Sequence, residues 1–393
     1  MSLLELQRVP GSGLLIRPEP FGGTLALRRP EMMILVDRTW MRNRGLQPGQ
    51  LRADVGPLDP SAPFEAHLTL GHRCDQGCQG CYIGADEDGP ELGLAAWREI
   101  LEALAHRGVY HLALGGGELL DWGLLLELAR YARQLGMTPN LSTAGSRLTP
   151  KLARKLEVFE RVHLSMDGVR EDFVAVRGFD GFDQALMSLR ILRAYHKRVG
   201  VNCVVARANA DGLPSLFALL DREGIRNVEL LRFKPVGRGA DCFDALRPSR
   251  AQLAAVVPAV LRATWRHRLR VRLDCSFTPM VCAAGVRPDR LLRLGLAGCV
   301  GGSWLVSIDG RGRLAACSFD EGTGVGHEAL ADENWALDFT RWHLRAPEPC
   351  RSCPYLMICR GGCHVVARHD TGDFQAPDPD CPFIEKSNRS RIG

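Results

Sequence analysis

Between residues 64 and 275, short apolar runs alternate with amphipathic segments of helical period, and this alternation constrains the fold more than any other feature. The predicted strands are Phe64–Leu70, Val109–Leu114, Pro139–Thr143, Arg161–Ser165, Val199–Val205 and Asn227–Phe233. The predicted helices are Leu94–His106, Leu124–Leu135, one opening at Thr149-Pro150, Phe182–His196, Leu213–Arg222 and Arg250–Trp265. Such alternation is typical of a parallel sheet with helices outside. We expect an α/β fold, a partial (β/α)6 barrel of the TIM type, with its chemistry at the carboxyl ends of the strands.

Length and composition exclude several classes of protein. A chain of 393 residues is expected to form two or three domains, and its 46% hydrophobic and 24% charged residues are ordinary for a globular protein. No run of 18 apolar residues predicts a membrane span, and the first five residues lack the features of an export signal. We therefore expect a cytoplasmic location and no membrane partner. The net charge of +5 is mild and the densest run of basic residues, Arg266–Arg272, is short, so we expect no nucleic-acid partner.

The regions on either side of the barrel differ from it in composition. Residues 1–62 are rich in proline and glycine, which predicts a small extended or hairpin module that contacts substrate or a partner, or lies as a strap across the barrel. The barrel is assigned to residues 63–285. In residues 286–393, Gly, Pro and Cys replace apolar periodicity, so we expect too few apolar residues for a conventional core and a fold held together by metal.

Fourteen cysteines in a chain without an export signal favour metal or redox chemistry over disulfides. Three of them lie within residues 74–81 and seven within 299–381. The remaining four are Cys203, Cys242, Cys275 and Cys282, and each is interpreted first as a small buried hydrophobic residue.

The first group of cysteines follows the first barrel strand with the spacing C-x3-C-x2-C, formed by Cys74, Cys78 and Cys81. Three thiolates on a short loop can bind three irons of a [4Fe–4S] cube and leave the fourth iron open to a small chelating ligand. A zinc site is the alternative, but structural zinc usually takes four protein ligands and the sequence offers no fourth nearby.

This loop resembles the defining motif of the radical S-adenosylmethionine (SAM) superfamily, in which the open iron binds SAM and a 5′-deoxyadenosyl radical is formed. Three further segments, all at strand ends, carry the resemblance: Gly115–Glu118, Ser142-Thr143 and Ser165-Met166-Asp167-Gly168. The resemblance implies that the SAM-contacting residues are Tyr82, Gly116, Gly117, Glu118, Ser142, Ser165, Asp167 and Arg177. Arg177 is expected to pair with the SAM carboxylate through its two-pronged guanidinium. One departure is Leu119, where the family usually has proline.

The C-terminal cysteines resemble the SPASM signature, which implies a small cysteine-rich iron–sulfur domain after the barrel. Its members here are Cys299, Cys317, Cys350, Cys353, Cys359, Cys363 and Cys381. The resemblance assigns Cys299, Cys317 and Cys363 to a first auxiliary cluster. It assigns Cys350, Cys353, Cys359 and Cys381 to a second, so that three [4Fe–4S] clusters are expected in all. Zinc fingers are the alternative for the C-x2-C pair. The fourth position of the first auxiliary cluster is either open or filled by Cys282, Cys275 or a carboxylate.

Several segments are similar to enzymes of the mycofactocin maturase family, notably Leu231–Gly239, Cys359–Cys363 and Asp378–Cys381. This implies an oxidoreductase that modifies a ribosomal precursor peptide by oxidation, decarboxylation or crosslinking, with an external flavodoxin or ferredoxin as electron donor. A separate peptide-recognition protein is a further expected partner. Arg17–Gly22 resembles a stretch of such a protein, but residues 1–62 are fewer than a complete recognition domain normally needs. The alternatives are a small-molecule substrate such as a haem precursor, and an iron–sulfur scaffold or electron carrier that is not an enzyme.

Overall fold

The computed structural model describes residues 7–9, 14–28, 31–50, 59–196, 198–320, 325–331 and 342–384. The amino-terminal module is a small antiparallel sheet in which neighbours in sequence are neighbours in space. Its strands are β1 (Gln7–Val9), β2 (Leu14–Glu19), β3 (Gly22–Arg28) and β4 (Glu31–Asp37), followed by the helix α1 (Arg38–Arg42). Ile16, Leu25 and Met41 form a small separate core between sheet and helix. The predicted hairpin character of this segment is therefore present.

The rest of the chain is built on one nine-stranded sheet, with the order β11-β10-β9-β8-β7-β6-β5-β12-β13. Its strands are β5 (Glu65–Thr69), β6 (His111–Gly115), β7 (Thr138–Thr143), β8 (Val162–Ser165), β9 (Val199–Val205), β10 (Asn227–Arg232), β11 (Arg270–Leu273), β12 (Leu305–Ile308) and β13 (Leu314–Ala315). Every neighbouring pair is parallel except β12 and β13. The predicted partial barrel of α/β type is confirmed.

Helices lie between the parallel strands and after them, and the longer ones cover the outer face of the sheet. Their bounds are α2 (Leu94–His106), α3 (Leu125–Gln134), α4 (Pro150–Lys155), α5 (Glu171–Arg177), α6 (Phe182–Tyr195), α7 (Leu213–Arg222), α8 (Arg238–Asp241), α9 (Phe243–Leu246), α10 (Arg250–His267), α11 (Thr278–Ala283), α12 (Pro288–Arg293), α13 (Leu356–Cys359) and α14 (His364–Thr371). As predicted, Thr149 caps α4 by accepting a hydrogen bond from the Leu152 amide. Among the described residues, no helix is long and apolar enough to cross a membrane.

Alternation along each strand separates the two faces of the sheet. In β5, Ala66 and Leu68 are buried against the helices, where Trp97 of α2 is also fully buried. The opposite face carries partly exposed polar side chains, among them Glu65 and His67. The hydrophobic core therefore lies between sheet and helices, and the inner face of the barrel is polar.

The sheet extends beyond the six predicted strands at both edges. At one edge β11 adds a seventh parallel barrel strand, with Asn227 opposite Arg270. Its residues, Arg270–Leu273, alternate arginine with apolar residues over only four positions, so the pattern is too short to be recognised. At the other edge β12 pairs with β5, with Leu305 opposite Glu65, and the sheet crosses the expected boundary between residues 285 and 286.

The C-terminal region, residues 286–384, also shares the core of the barrel. Val306, Ile308, Leu314 and Trp342 are buried in the same cluster as the sheet and its helices. The expectation that this region has too few apolar residues for a conventional core was therefore wrong. Its apolar residues are too scattered in sequence to form a periodic pattern, but they pack onto an existing core.

The amino-terminal module is fixed to the barrel by one buried arginine. Arg17 is fully buried, pairs with Glu19 at 2.6 Å and donates hydrogen bonds to the carbonyl oxygens of Ala62 (2.8 Å) and Gly108 (2.9 Å). Its guanidinium also lies over the Phe64 ring, 4.5 Å from the centroid. These residues directly precede or approach the beginnings of β5 and β6. The module therefore docks at the amino-terminal end of the barrel strands, opposite the carboxyl ends.

Candidate functional site

The three clustered cysteines lie on a loop of residues 74–81, the cysteine loop, which follows the carboxyl end of β5. The Cys74 amide donates to the Asp86 carbonyl at 2.7 Å, and the Cys81 amide donates to the Cys78 carbonyl at 3.3 Å. Gly77 supplies the positive φ of +62° that this tight loop requires. Backbone hydrogen bonds therefore hold the loop in shape and leave the three thiols half-exposed at the barrel mouth.

The loop after β10 packs against the cysteine loop and hydrogen-bonds to it. The Arg238 amide donates to the Cys81 carbonyl at 3.0 Å, and its guanidinium donates to the Cys78 carbonyl at 2.9 Å. A Cβ on Gly237 would stand 2.5 Å from the Cys81 oxygen, and one on Gly80 would stand 2.6 Å from the Phe233 ring. Glycine is therefore required at both contacts. This loop is part of Leu231–Gly239, which the sequence marked only by its resemblance to a family. The structure shows that the segment holds the cysteine loop.

The glycine run at the end of β6 packs directly against the same loop. A Cβ on Gly117 would lie 1.9 Å from the Arg73 carbonyl oxygen, and Gly116 has a φ of +142°. The Glu118 carboxylate accepts hydrogen bonds from the Thr143 hydroxyl (2.6 Å) and the Gly145 amide (2.9 Å). Burial raises the pKa of Glu118, while these donors lower it in part. Glu118 thus ties the ends of β6 and β7 together beside the thiols.

The residues predicted at the ends of β8 and α5 form a contact that the sequence did not specify. Arg177 pairs with Asp167 at 2.5 Å and donates to the Cys78 sulfur at 3.4 Å. Desolvation would lower the pKa of Arg177, but Asp167 and Cys78 raise it overall. Asp167 in turn accepts from the Val204 amide at 2.6 Å. A fixed positive charge therefore faces one thiol of the cysteine loop, and Asp167 orients it.

The two predicted serines lie on neighbouring strands at the inner face of the barrel. Ser142 accepts a hydrogen bond from Asn202, whose side chain also contacts His163 at 2.6 Å. Ser165 lies opposite Asn202 in the β8–β9 pairing. Asn202 and His163 were missed by sequence reasoning. Their inward positions on β9 and β8 were the available signal, because inward residues of a barrel strand face its interior.

Tyr82 links the cysteine loop to the C-terminal region. Its hydroxyl hydrogen-bonds the Thr69 side chain, and removal from water raises the pKa of Tyr82 to about 12. Its ring lies 5.2 Å from the Phe319 ring, and Lys234 stands over the other ring at 4.1 Å. Lys234 is buried and paired with Asp274. The Lys234–Asp274 pair was also missed, because nothing in sequence brings β10 and β11 together.

Four cysteines from separate segments form what we call the first thiol group: Cys275, Cys299, Cys317 and Cys363. Cys275 follows β11, and its sulfur accepts a hydrogen bond from the Cys299 thiol, which lowers the pKa of Cys275 and raises that of Cys299. Burial, and to a lesser degree the proximity of Cys275, raises the pKa of Cys317. Burial also raises the pKa of Cys363 to about 11, although Lys234 and Arg232 lower it. The structure therefore brings together the three predicted cysteines and adds Cys275.

The second thiol group consists of Cys350, Cys353, Cys359 and Cys381, as predicted. Burial, followed by the neighbouring thiols, raises the pKa of Cys350 to about 12, and burial raises that of Cys381 to about 12. Cys282 hydrogen-bonds Cys359 and is buried beside it. Between the two groups, Arg360, Gly361 and Gly362 all have positive φ, which turns the chain so that Cys359 and Cys363 face different groups.

A buried ionic network joins the C-terminal region to the barrel. Arg232 at the end of β10 donates to Asp378 at 2.6 Å and also pairs with Asp380. Arg247 donates to Asp380 at 2.7 Å and to Asp370 at 2.8 Å. The Asp378 carboxylate also accepts from the Cys363 amide at 2.9 Å. Two segments noted in the sequence, Leu231–Gly239 and Asp378–Cys381, are therefore partners in one network.

The donor sets fit iron–sulfur clusters. Several buried thiols with raised pKa values are poor thiolates unless cationic metal offsets their charge, and metal binding deprotonates them. Among the described residues, no three His, Cys, Asp or Glu side chains converge on one point as ligands of a single ion would. Thiolates around a cube bind separate irons and so lie further apart, which makes the two observations compatible.

Comparison with known proteins gives matches over most of the chain. A family model described as the Radical SAM superfamily matches residues 68–215. The PqqA peptide cyclase of Xanthomonas campestris pv. campestris (strain B100) is 32% identical over 340 residues, which cover 81% of this chain and 86% of that relative. The mycofactocin maturase MftC of Mycolicibacterium smegmatis is 30% identical over 345 residues, with coverage of 83% and 86%.

Solved structures with the same fold are also found. Streptococcus suis SuiB bound to its precursor peptide SuiA has a TM-score of 0.73 at 16% identity, covering 96% of this chain and all of that one. Native anSMEcpe with bound AdoMet and the Cp18Cys peptide has a TM-score of 0.62 at 17% identity, covering 81% of this chain and 94% of that one. At such identities the likeness establishes a shared fold.

Proposed function

This chain belongs to the radical SAM superfamily, and on that premise we propose that it matures a ribosomally synthesised peptide by radical oxidation, decarboxylation or crosslinking. Family membership implies a [4Fe–4S] cluster and SAM. When bound, these supply a 5′-deoxyadenosyl radical that abstracts a hydrogen atom from the substrate. The enzyme is an oxidoreductase acting on peptide, and its product is a modified precursor.

One observation carries the peptide assignment. Two relatives with different names, a PqqA peptide cyclase and a mycofactocin maturase, each match more than four-fifths of this chain. Each match is more than twice as long as the match to the family model, residues 68–215, so the likeness extends beyond that shared part. Peptide is therefore favoured over a small molecule such as a haem precursor.

In this proposal the residues of the cysteine loop hold the catalytic cluster. Cys74, Cys78 and Cys81 are its ligands. Arg177 donates to the Cys78 sulfur at 3.4 Å and so stabilises negative charge there. Arg238 fixes the loop through the Cys78 carbonyl, so the three thiols keep one arrangement.

The residues around the loop form the SAM site. Gly116 and Gly117 bring backbone close to the thiols, and Tyr82, Ser142 and Ser165 are assigned to the same site. Glu118 and Asp167 are already held by chain donors, so we assign them positioning of the strand ends and of Arg177. The polar inner face of the barrel below receives the peptide segment that reacts.

The C-terminal region is proposed to be a SPASM domain with two auxiliary [4Fe–4S] clusters, one at each thiol group. The two thiol groups would hold these clusters, which when bound would provide an acceptor for the electron that a substrate radical loses on becoming a closed-shell product. An external flavodoxin or ferredoxin supplies the reductant, and a separate peptide-recognition protein delivers the precursor. A cytoplasmic location is supported by fourteen free thiols.

The test is turnover of a defined peptide. The protein is reconstituted anaerobically and incubated with SAM, dithionite and a synthetic peptide encoded by a short open reading frame beside the gene. We expect 5′-deoxyadenosine in proportion to peptide, and a peptide mass reduced by loss of hydrogen or of CO₂. The matched control carries Cys74→Ala, Cys78→Ala and Cys81→Ala and produces neither.

Two outcomes count against the assignment. If coproporphyrin, a haem precursor, is consumed with 5′-deoxyadenosine formation while the peptide mass stays unchanged, the substrate is a small molecule. If the reconstituted protein makes no 5′-deoxyadenosine with any substrate, an electron-carrier function replaces an enzymatic one.

A further inference from the structure

The position of Cys275 in the structure is not predicted by the residues around it in sequence. Cys275 stands apart from the other cysteines in sequence, 24 residues before Cys299, and follows the last barrel strand, β11. The carbonyl of the next residue, Ser276, accepts a hydrogen bond from Arg232 (3.3 Å), and Arg232 also donates to Asp378, whose carboxylate accepts from the Cys363 amide (2.9 Å). The Cys275 sulfur also interacts with the thiols of Cys299, Cys317 and Cys363. Four thiols from four chain segments therefore surround one region beside Lys234.

We propose that Cys275 is the fourth protein ligand of the first auxiliary cluster, which is thereby closed by four cysteines, Cys275, Cys299, Cys317 and Cys363. This inference rests on the proposed function, because it presupposes an iron–sulfur cluster at the first thiol group. A [4Fe–4S] cube has four irons, and four thiolates satisfy all of them. The barrel thus supplies one ligand and the C-terminal region supplies three.

The other candidates for the fourth position are engaged elsewhere. Cys282 is buried next to Leu291 and Ile358 and hydrogen-bonds Cys359, so it belongs to the second thiol group. Of the nearby carboxylates, Asp274 pairs with Lys234 and accepts hydrogen bonds from Ser276. Asp320 accepts from the Ala316 amide at 3.2 Å. Cys275 lies beside Lys234 with the other three thiols of the group, where a thiolate can bind the fourth iron.

The surroundings of Cys275 also suit a cluster ligand. The Lys234 ammonium interacts with both Cys275 and Cys363 and is held in place by Asp274 and by the Phe319 ring. One fixed cation therefore faces two of the four thiols and offsets part of their negative charge. A closed cluster in this setting transfers electrons and offers the substrate no iron to bind.

The experiment isolates the auxiliary clusters in the full chain. A background with Cys74→Ala, Cys78→Ala and Cys81→Ala removes the catalytic cluster, and two auxiliary cubes then account for about eight irons per chain. Cyanide is the probe, because it binds an open iron and changes the electron paramagnetic resonance (EPR) spectrum of the reduced cluster. In this background we expect no change on adding cyanide.

Replacing Cys275 is expected to open the site. In the same background, Cys275→Ala loses between one and four of the eight irons and the remaining spectrum becomes sensitive to cyanide, while Cys275→Ser retains iron with an altered EPR spectrum. Cys282→Ala and Cys203→Ala, which replace two other buried cysteines, keep the first auxiliary signal unchanged.

Three results would overturn the inference. The first is a cyanide-sensitive spectrum in the background protein, which needs no further variant and so holds even if Cys275→Ala fails to fold. The second is loss of the first auxiliary signal in Cys282→Ala with full retention in Cys275→Ala. The third is an iron content of only about four per chain in the background protein, which would mean that only one auxiliary cluster is present. Only this last result also contradicts the two-cluster proposal, whereas loss of peptide turnover alone leaves the iron counts intact.

Discussion

The barrel and the C-terminal region are stabilised by different interactions. In the barrel, buried apolar residues recur with the period of strands and helices, and the cysteine loop is pinned by backbone hydrogen bonds. In residues 286–384, the described helices are short, and the chain is joined to the barrel by strand β12, the first thiol group and the Arg232 network. The barrel should therefore keep its fold without its cluster, while the C-terminal region should not.

The largest expected effect of this difference is at the three thiols of the cysteine loop. Replacing Cys74, Cys78 and Cys81 together with Ala is expected to abolish 5′-deoxyadenosine formation and to lower iron from about twelve to about eight per chain. The barrel should remain folded, because the loop carbonyls are held by Arg238 and the loop itself is half-exposed. Circular dichroism and iron analysis are the measurements. Unfolding of this variant would show that the barrel, too, depends on its cluster.

The second prediction concerns Cys353. Cys353→Ala is expected to give poorly soluble or protease-sensitive protein, because metal binding in a small cysteine-rich region is also folding free energy. Limited proteolysis followed by mass spectrometry should locate the cuts within residues 342–384. Cys203→Ala, also a cysteine-to-alanine change, serves as control and should resist protease like the wild type. A Cys353→Ala protein as resistant as that control would contradict the comparison.

The third prediction concerns the joint between the two regions. Arg232→Met leaves Asp378 buried without its cation and Asp380 with Arg247 alone, and breaking such a buried pair costs about 3–5 kcal/mol of unfolding free energy. Urea denaturation of the reconstituted protein measures the change.

A matched surface pair provides the control for the joint. Arg190→Ala breaks the exposed pair with Glu223 on the outside of the barrel and should leave the denaturation midpoint unchanged. Equal effects of Arg232→Met and Arg190→Ala would mean that the buried network does not stabilise the junction.

The smallest expected effect is on the reduction potential of a proposed auxiliary cluster. Lys234→Met takes the cation away from Cys275 and Cys363, while Asp274, which also faces Cys275, keeps its negative charge. The potential of one auxiliary cluster should fall by on the order of 60 mV, a tenfold change in a one-electron equilibrium. Redox titration followed by EPR measures it. An unchanged potential would place Lys234 outside the reach of the cluster.

Sequence reasoning predicted the barrel well and the joint between the regions poorly. Each of the six predicted strands is present within two residues at either end, because their apolar residues recur with a regular period. Strand β11 was missed because it spans four residues and half of them are arginine. The contribution of β12 was missed because pairing with β5 is a property of the folded chain, which no local pattern reports.

The same limit applies within the site. The grouping of the three thiols on the cysteine loop and of the second thiol group could be predicted, because these cysteines are close in sequence and match a known spacing. Cys275 could only be offered as one of several candidates, since 24 residues separate it from Cys299. Long-range contacts such as Arg232 with Asp378 or Lys234 with Asp274 needed the structure, because burial of a charged pair leaves no periodic signal.

The pairing of β12 with β5 has a consequence for biosynthesis. Leu305 lies opposite Glu65, so one edge of the first barrel strand has no partner until the ribosome has made 240 further residues. At typical elongation rates this takes about 12–48 s. During translation the early barrel is therefore a sheet with one open edge, and the first thiol group is complete only after Cys363 and the second only after Cys381.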